Sequence, residues 1–212
     1  MASFNRRLRF DRQWRYLFPA MLFTMLVFIP WDMLKTDLAV WGFNPRYLIG
    51  YYIGNLPVEE WLFFISVPYA CLFTYHALNF LLQKDYFGLA QGFTLLLAIA
   101  LVFIGFLNIT RLYTSVTFIS TGIFLLFHRF VLRKTYMGRF LMMYLVTLIP
   151  FFIVNGLLTG SFIPEEVVYY DDAQNLDIRL GTIPVEDLVY GMLMLLMNVT
   201  WFEWLKNRKS LN

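Results

Sequence analysis

The sequence predicts an all-α membrane protein of about six transmembrane helices, built on a duplicated helix–outer loop–helix unit. Three observations predict it. The chain is 59% hydrophobic and 20% aromatic but only 15% charged, whereas a soluble domain is nearer a quarter charged. Six apolar stretches approach the roughly 20 residues that cross a ~30 Å hydrocarbon core. One short phrase also occurs twice, as Gly54-Asn55-Leu56-Pro57-Val58-Glu59-Glu60 and as Gly181-Thr182-Ile183-Pro184-Val185-Glu186-Asp187, offset by 127 residues.

The first stretch, about 14–31, follows a basic segment with Arg6, Arg7, Arg9, Arg12 and Arg15. It ends in Ile29-Pro30-Trp31-Asp32 rather than in small residues, so it reads as a retained helix and not a cleaved signal. The second, about 58–82, opens on the first copy of the phrase and contains Pro68. The third and fourth run over about 88–107 and 114–131. The fifth, about 140–158, contains Pro150, and the sixth, about 184–205, opens on the second copy. Both prolines allow a kink, because neighbouring helices can satisfy the carbonyls they free. The loops at about 32–57 and 159–183 are long, and the other outer loop is short.

Basic residues set the orientation. With the N-terminus inside, 13 of the 17 Lys and Arg fall on the inner side. The outer segments hold Lys35, Arg46, Arg111 and Arg179. Both termini are then cytoplasmic, and both phrases lie at the outer face of a cell (inner) membrane. Residues 1–108 (helices 1–3) and 109–212 (helices 4–6) form two halves of one integrated membrane domain. At the same offset Phe43 meets Tyr170 and Asn44 meets Asp171. With four extra residues allowed in the second loop, Asp32 meets Asn155. Copies four helices apart share one orientation, which makes the repeat parallel.

Composition also narrows the chemistry. The single Cys71 forms no internal disulfide, and no Cys/His cluster suggests a metal. No Gly-rich phosphate loop is present, so no nucleotide cofactor and no nucleic acid is expected. The doubled carboxylates admit two readings. Proline at a helix start followed by acids in the first turn is a good helix beginning and no more. Against that, both pairs lead at once into apolar sequence, Trp61-Leu62-Phe63-Phe64-Ile65 and Leu188-Val189-Tyr190-Gly191-Met192, and ionisable groups at membrane depth usually face a cavity or a partner. A shielded carboxyl can then hold a proton at neutral pH and donate it.

Adjacent helical residues point about 100° apart, so one acid of each pair faces inward. Glu59 and Glu186 are favoured, being the identical pair and each lying four residues before an aromatic, Phe63 or Tyr190. Glu60 and Asp187 then tune them or face a loop. Trp31, Trp41, Trp61 and Trp201 suit an interfacial belt. Aromatics nearer the acids would offer ring faces to a carbocation. His76 and His128 read as structural. Glu203 is expected to pair with Lys206 or Arg208, and Asn198 to bond between helices.

Pro57-Val58-Glu59-Glu60-Trp61-Leu62-Phe63-Phe64 and Ile183-Pro184-Val185-Glu186-Asp187, with Ile29-Pro30-Trp31-Asp32, Trp41, Phe43-Asn44-Pro45 and Val154-Asn155-Gly156-Leu157-Leu158-Thr159, resemble the membrane lycopene cyclases of the heterodimer type, in a fused bacterial form. The resemblance runs over nearly the whole chain and implies a cyclisation without net redox change and without a cofactor. A protonated carboxyl gives H⁺ to the terminal double bond of an acyclic ψ-end group of lycopene. The tertiary cation is attacked by the neighbouring double bond, a six-membered ring closes, and a base removes a ring proton. The product is a β-ring, formed via γ-carotene on the way to β-carotene. The matching catalytic positions are Glu59, Glu60, Glu186 and Asp187. Pro57, Pro184, Trp31, Asp32, Asn44, Asn155, Phe63 and Tyr190 support them.

The partners implied are lipid-dissolved lycopene and membrane lipid, with homo-oligomers or other carotenoid enzymes left open. Two alternatives stand beside this one. A small proton-coupled transporter fits parallel repeats with membrane carboxylates. A non-catalytic subunit of a carotenoid-synthesis assembly is the other. In the cyclase, replacing Glu59 or Glu186 by Gln is expected to stop turnover without loss of membrane insertion.

Overall fold

The computed structural model describes residues 7–82, 84, 87, 90–132 and 136–208. It is an all-α membrane fold. Its helices are α1 (Trp14–Asp37), α2 (Val58–Leu81), α3 (Ala90–Leu107), α4 (Leu112–Phe127), α5 (Met137–Leu158) and α6 (Val185–Arg208). Five are long and apolar enough to cross a membrane, α4 by way of the π turn His128–Leu132 that continues it. The exception is the third, whose described apolar run, Gly92–Leu107, is shorter; residues 88 and 89 of that expected span lie outside the described residues.

The expected end of the first helix at Trp31 is corrected. The helix runs straight through Pro30 to Asp37. A proline inside a helix removes one backbone bond, and here the surrounding helices tolerate the gap. The consequence is that Asp32 and Lys35, expected in an outer loop, sit on helix α1 and are buried. Pro68 and Pro150 likewise lie inside unbroken helices.

Helices α3 and α4 form a tight pair. A Cβ on Gly122 would meet the Ala98 carbonyl and Val102, and one on Gly105 would meet Ile119. Small residues at such a crossing let two backbones approach closely in a membrane. Helices α1, α4 and α6 enclose the core, where Phe28 packs against Phe64 and Tyr190.

Short ribbons cap one end of the bundle, referred to below as the motif end. Strand β1 (Trp41–Phe43) pairs with β4 (Val168–Tyr170), β2 (Tyr52–Ile53) with β3 (Leu56–Pro57), and β5 (Arg179–Leu180) with β6 (Ile183–Pro184). The last two are hairpins, each leading directly into a helix. Their turns use Gly54 and Gly181, both at φ 69°, a conformation open to glycine at little cost. Each turn is tied to the helix before it: Asn55 donates to the Met33 carbonyl, and Thr182 to the Gly156 carbonyl.

The β1–β4 ribbon joins the two copies across a local two-fold relation. Trp41 faces Tyr170, Phe43 faces Val168, and between them Gly42 faces Tyr169, its own equivalent at the repeat offset. The Tyr169 ring lies where a Gly42 side chain would be. Gly42→Val is therefore expected to lower stability by about 1–3 kcal/mol through overpacking. Thermal unfolding in detergent measures the loss, and a second change, Tyr169→Ala, is expected to restore part of it.

Candidate active site

The two hairpins deliver their acids to equivalent places. Pro57 and Pro184 end the second strand of each hairpin, and the helix begins at the following valine. The Val58 amide donates to the Tyr51 carbonyl and the Val185 amide to that of Ile178, which fixes the rotation of the first turn. Glu59 Oε1 then accepts from the Ile49 amide at 2.6 Å, and Glu186 Oε1 from the Leu176 amide at 2.8 Å. Glu186 also accepts from the Thr114 hydroxyl at 2.6 Å. The first acid of each pair thus clamps its own loop.

The second acid of each pair turns into a cavity. The cavity has a volume of about 470 Å³ and is lined by one face each of α2, α5 and α6, with Asp32 of α1, Tyr113 of α4 and residues of the β1–β4 ribbon completing it. On α2 that face runs from Glu60 to Thr74, and on α5 from Leu158 back to Tyr144. Fourteen residues of helix rise make this a slot of about 21 Å. Its walls are Phe63, Val67, Leu148, Phe151, Val154, Met194 and Leu195, widened by Ser66, Ala70 and Gly191. Its three carboxyls and Asn155 gather at the motif end.

Asp187 is the most heavily hydrogen-bonded of them. Its oxygens accept from Tyr113 at 2.6 Å, Asn155 at 2.7 Å and Tyr170 at 2.8 Å. Burial pushes the Tyr170 phenol well above its ordinary range, so it remains a donor. In the same cavity the carboxyls of Asp32 and Glu60 come within hydrogen-bonding reach of each other, and Tyr190 donates to Asp32 at 2.7 Å. The motif end of an apolar slot therefore holds a neighbouring pair of carboxyls and a third that accepts from three donors. Such a site suits proton donation to, and proton recovery from, an uncharged hydrocarbon.

A family model described as lycopene cyclase matches residues 1–78 and 110–205, most of the chain. The chain belongs to the lycopene cyclase family. No curated protein and no solved structure matches it. The family match leaves out the stretch that contains α3, and among the described residues none of α3 lines the cavity of this cyclase.

The structure distributes the expected site residues of the cyclase unevenly. Asp32, Glu60, Phe63, Asn155, Asp187 and Tyr190 line the cavity. Glu59 and Glu186, favoured from sequence as the inward acids, lie outside its lining and hold loop amides instead. Pro57 and Pro184 set the helix starts. Asn44 caps the 3₁₀ turn Pro45–Tyr47 and donates to Glu165, away from the cavity. Its counterpart Asp171 caps Asp172–Gln174, where a hydrogen bond from Arg179 holds the Asp172 carboxyl below its usual range. Trp31 stacks on Phe28 with ring centroids 5.4 Å apart.

Two further expectations change. Glu203 accepts from Tyr75 at 3.1 Å rather than from a nearby cation. Asn198 donates to Met194 on its own helix rather than across helices.

Sequence reasoning missed three groups. Tyr113 and Tyr170 supply hydroxyls to Asp187; the signal for Tyr170 was its match to Phe43 at the repeat offset, and Tyr113, at the start of α4, carried none. Lys35, 2% exposed, lies behind the aromatic wall of the site. Its signal was a lysine three residues after a duplicated aspartate position, and the premature helix end hid it.

Proposed function

We propose that the chain is a lycopene β-cyclase that protonates a ψ-end group from the Asp32–Glu60 pair and recovers the proton at Asp187. The single observation that carries this is that a pair of carboxyls and a third, separately hydrogen-bonded one line the same apolar slot. Two touching carboxyls need a proton between them to avoid repulsion, and that proton is the one delivered to the terminal double bond. The tertiary cation so formed is attacked by the neighbouring double bond, which closes the six-membered ring. Loss of a ring proton then sets the ring double bond. Atoms and electrons balance without an oxidant, and the proton taken up by Asp187 returns to the Asp32–Glu60 pair before the next turnover.

Asp187 suits the accepting role. An ionised carboxylate offers about four acceptor sites, and three are filled by Tyr113, Asn155 and Tyr170. The remaining one faces the slot. Its fixed negative charge also stabilises the passing cation, because preorganised charge in a dry site costs no reorganisation during the reaction. The length of the slot suits the polyene behind the reacting end. The substrate enters from lipid, and we read the motif end as facing outward from the cell membrane, which the excess of basic residues at the opposite end supports.

The test is pigment analysis of lycopene-accumulating cells that express the chain. β-Carotene, with γ-carotene as intermediate, is the expected result. Unchanged lycopene beside abundant membrane-inserted protein would overturn the proposal, and ε-rings would overturn the assignment of the ring proton removed.

A further inference from the structure

The strongest unassigned feature is Lys35. Its ammonium sits between four aromatic rings, 4.5 Å from the centroid of Trp31, 4.8 Å from Trp41, 4.4 Å from Tyr113 and 5.7 Å from Tyr190. It donates to Thr117 Oγ1 at 3.2 Å. Among the described residues the ion pairs are Arg46–Glu165 and Arg179–Asp172, so Lys35 makes no direct ion pair there. It is not part of the cavity lining either. A lysine enclosed in this way has a cost in desolvation that only a local function or a local charge balance offsets.

Both lie one ring away. Tyr113 and Tyr190 turn their faces to Lys35 and their hydroxyls to Asp187 and Asp32. A cation held against a phenol face draws electron density from the ring and makes its O–H a stronger donor. Asp32 also lies one helical turn before Lys35 on α1, and Asp187 lies at the far end of the Tyr113 ring. Its equivalent in the second copy is Leu158, at the shift that aligns Asp32 with Asn155, so the charge belongs to one half alone.

We propose that Lys35 is a positioning residue for the cyclisation, holding the Tyr113 and Tyr190 hydroxyls on Asp187 and Asp32 and balancing the negative charge of the acid cluster. This rests on the acid roles given under Proposed function. It also reassigns the aromatic box. The ring faces of Trp41, Tyr113 and Tyr190 that meet Lys35 are already occupied by a cation, so the carbocation is stabilised mainly by carboxylate.

The experiment uses the full chain in lipid vesicles with lycopene, comparing wild type, Lys35→Met and Lys35→Arg by turnover, and by infrared spectra of the carboxyl C=O stretch. Lys35→Met is expected to lower kcat on the order of 100-fold, the scale of losing one preorganised electrostatic group. KM is expected to stay within about twofold, because the side chain does not touch substrate. The carboxyl band is expected to shift, which a purely structural role would not require.

Wild-type kcat with an unchanged band in Lys35→Met overturns the proposal, as does a raised KM with kcat intact. If Lys35→Met does not reach the membrane, Lys35→Arg decides. A folded Arg variant within about tenfold of wild-type kcat, with the wild-type band, supports the charge role; a folded Arg variant that loses both overturns it. A wild-type chain that makes no cyclised product sinks the functional reading itself, which is a separate outcome.

Discussion

Glu60→Gln is expected to abolish ring formation, with turnover down by about 1000-fold, within the range that a positioned proton donor contributes. Gln preserves the shape and the contact to Asp32 but carries no acidic proton. Glu59→Gln is the informative contrast. Its amide oxygen still accepts from the Ile49 amide, so turnover is expected to stay within about tenfold of wild type. Pigment ratios in lycopene-accumulating cells, normalised to protein in the membrane fraction, measure both. Equal loss in the two variants would mean that the loop clamp, not the cavity acid, is what matters.

Asp187→Asn is expected to be nearly as severe, with kcat down about 100- to 1000-fold, since it removes the fixed charge nearest the developing cation. It also disturbs three donors that converge on one carboxylate. The Asn amide cannot accept from all of them, and each buried donor left without a partner costs about 1–3 kcal/mol. Thermal unfolding in detergent is therefore expected to show a loss that Glu60→Gln does not. Tyr170→Phe separates the two effects, since it removes one donor and leaves the charge. Kinetics in vesicles with lycopene read the activity, and a Tyr170→Phe variant as inactive as Asp187→Asn would shift the weight from charge to geometry.

The membrane class, the duplicated phrase and its two acid pairs were all legible in the sequence, because composition and repetition need no three-dimensional information. The choice within each pair was not. It depends on the angle at which α2 and α6 leave their hairpins, and that angle is set by backbone bonds from Val58 to Tyr51 and from Val185 to Ile178. Glu59 and Glu186 then reach loop amides ten residues earlier in the chain, contacts that no helical periodicity announces. Spacing to Phe63 and Tyr190 pointed the other way because those rings flank the second acid as well as the first.

Lys35 was lost for a different reason. Pro30 is a good stop signal in water, and ending the helix beside it, at Trp31, placed the six residues 32–37 in a loop, where a lysine needs no explanation. In a bundle that tolerates the missing amide, the same residues form two more turns of helix. Glu203 illustrates a third limit: Tyr75, its partner, lies 128 residues away, and charge patterning reaches only near neighbours.

The two copies match in backbone but differ in what they present to the slot. Tyr170 and Tyr190 stand in the second copy where the first has Phe43 and Phe63, and Asn155 stands where the first has Asp32. On the acid roles proposed above, the duplication is broken into a donating set and an accepting set that share one cavity. With both sets used on one tip, a symmetrical polyene would have to back out, reverse and return for the second. The half-finished molecule would then be free in the bilayer, open to capture by any other catalyst that shares it.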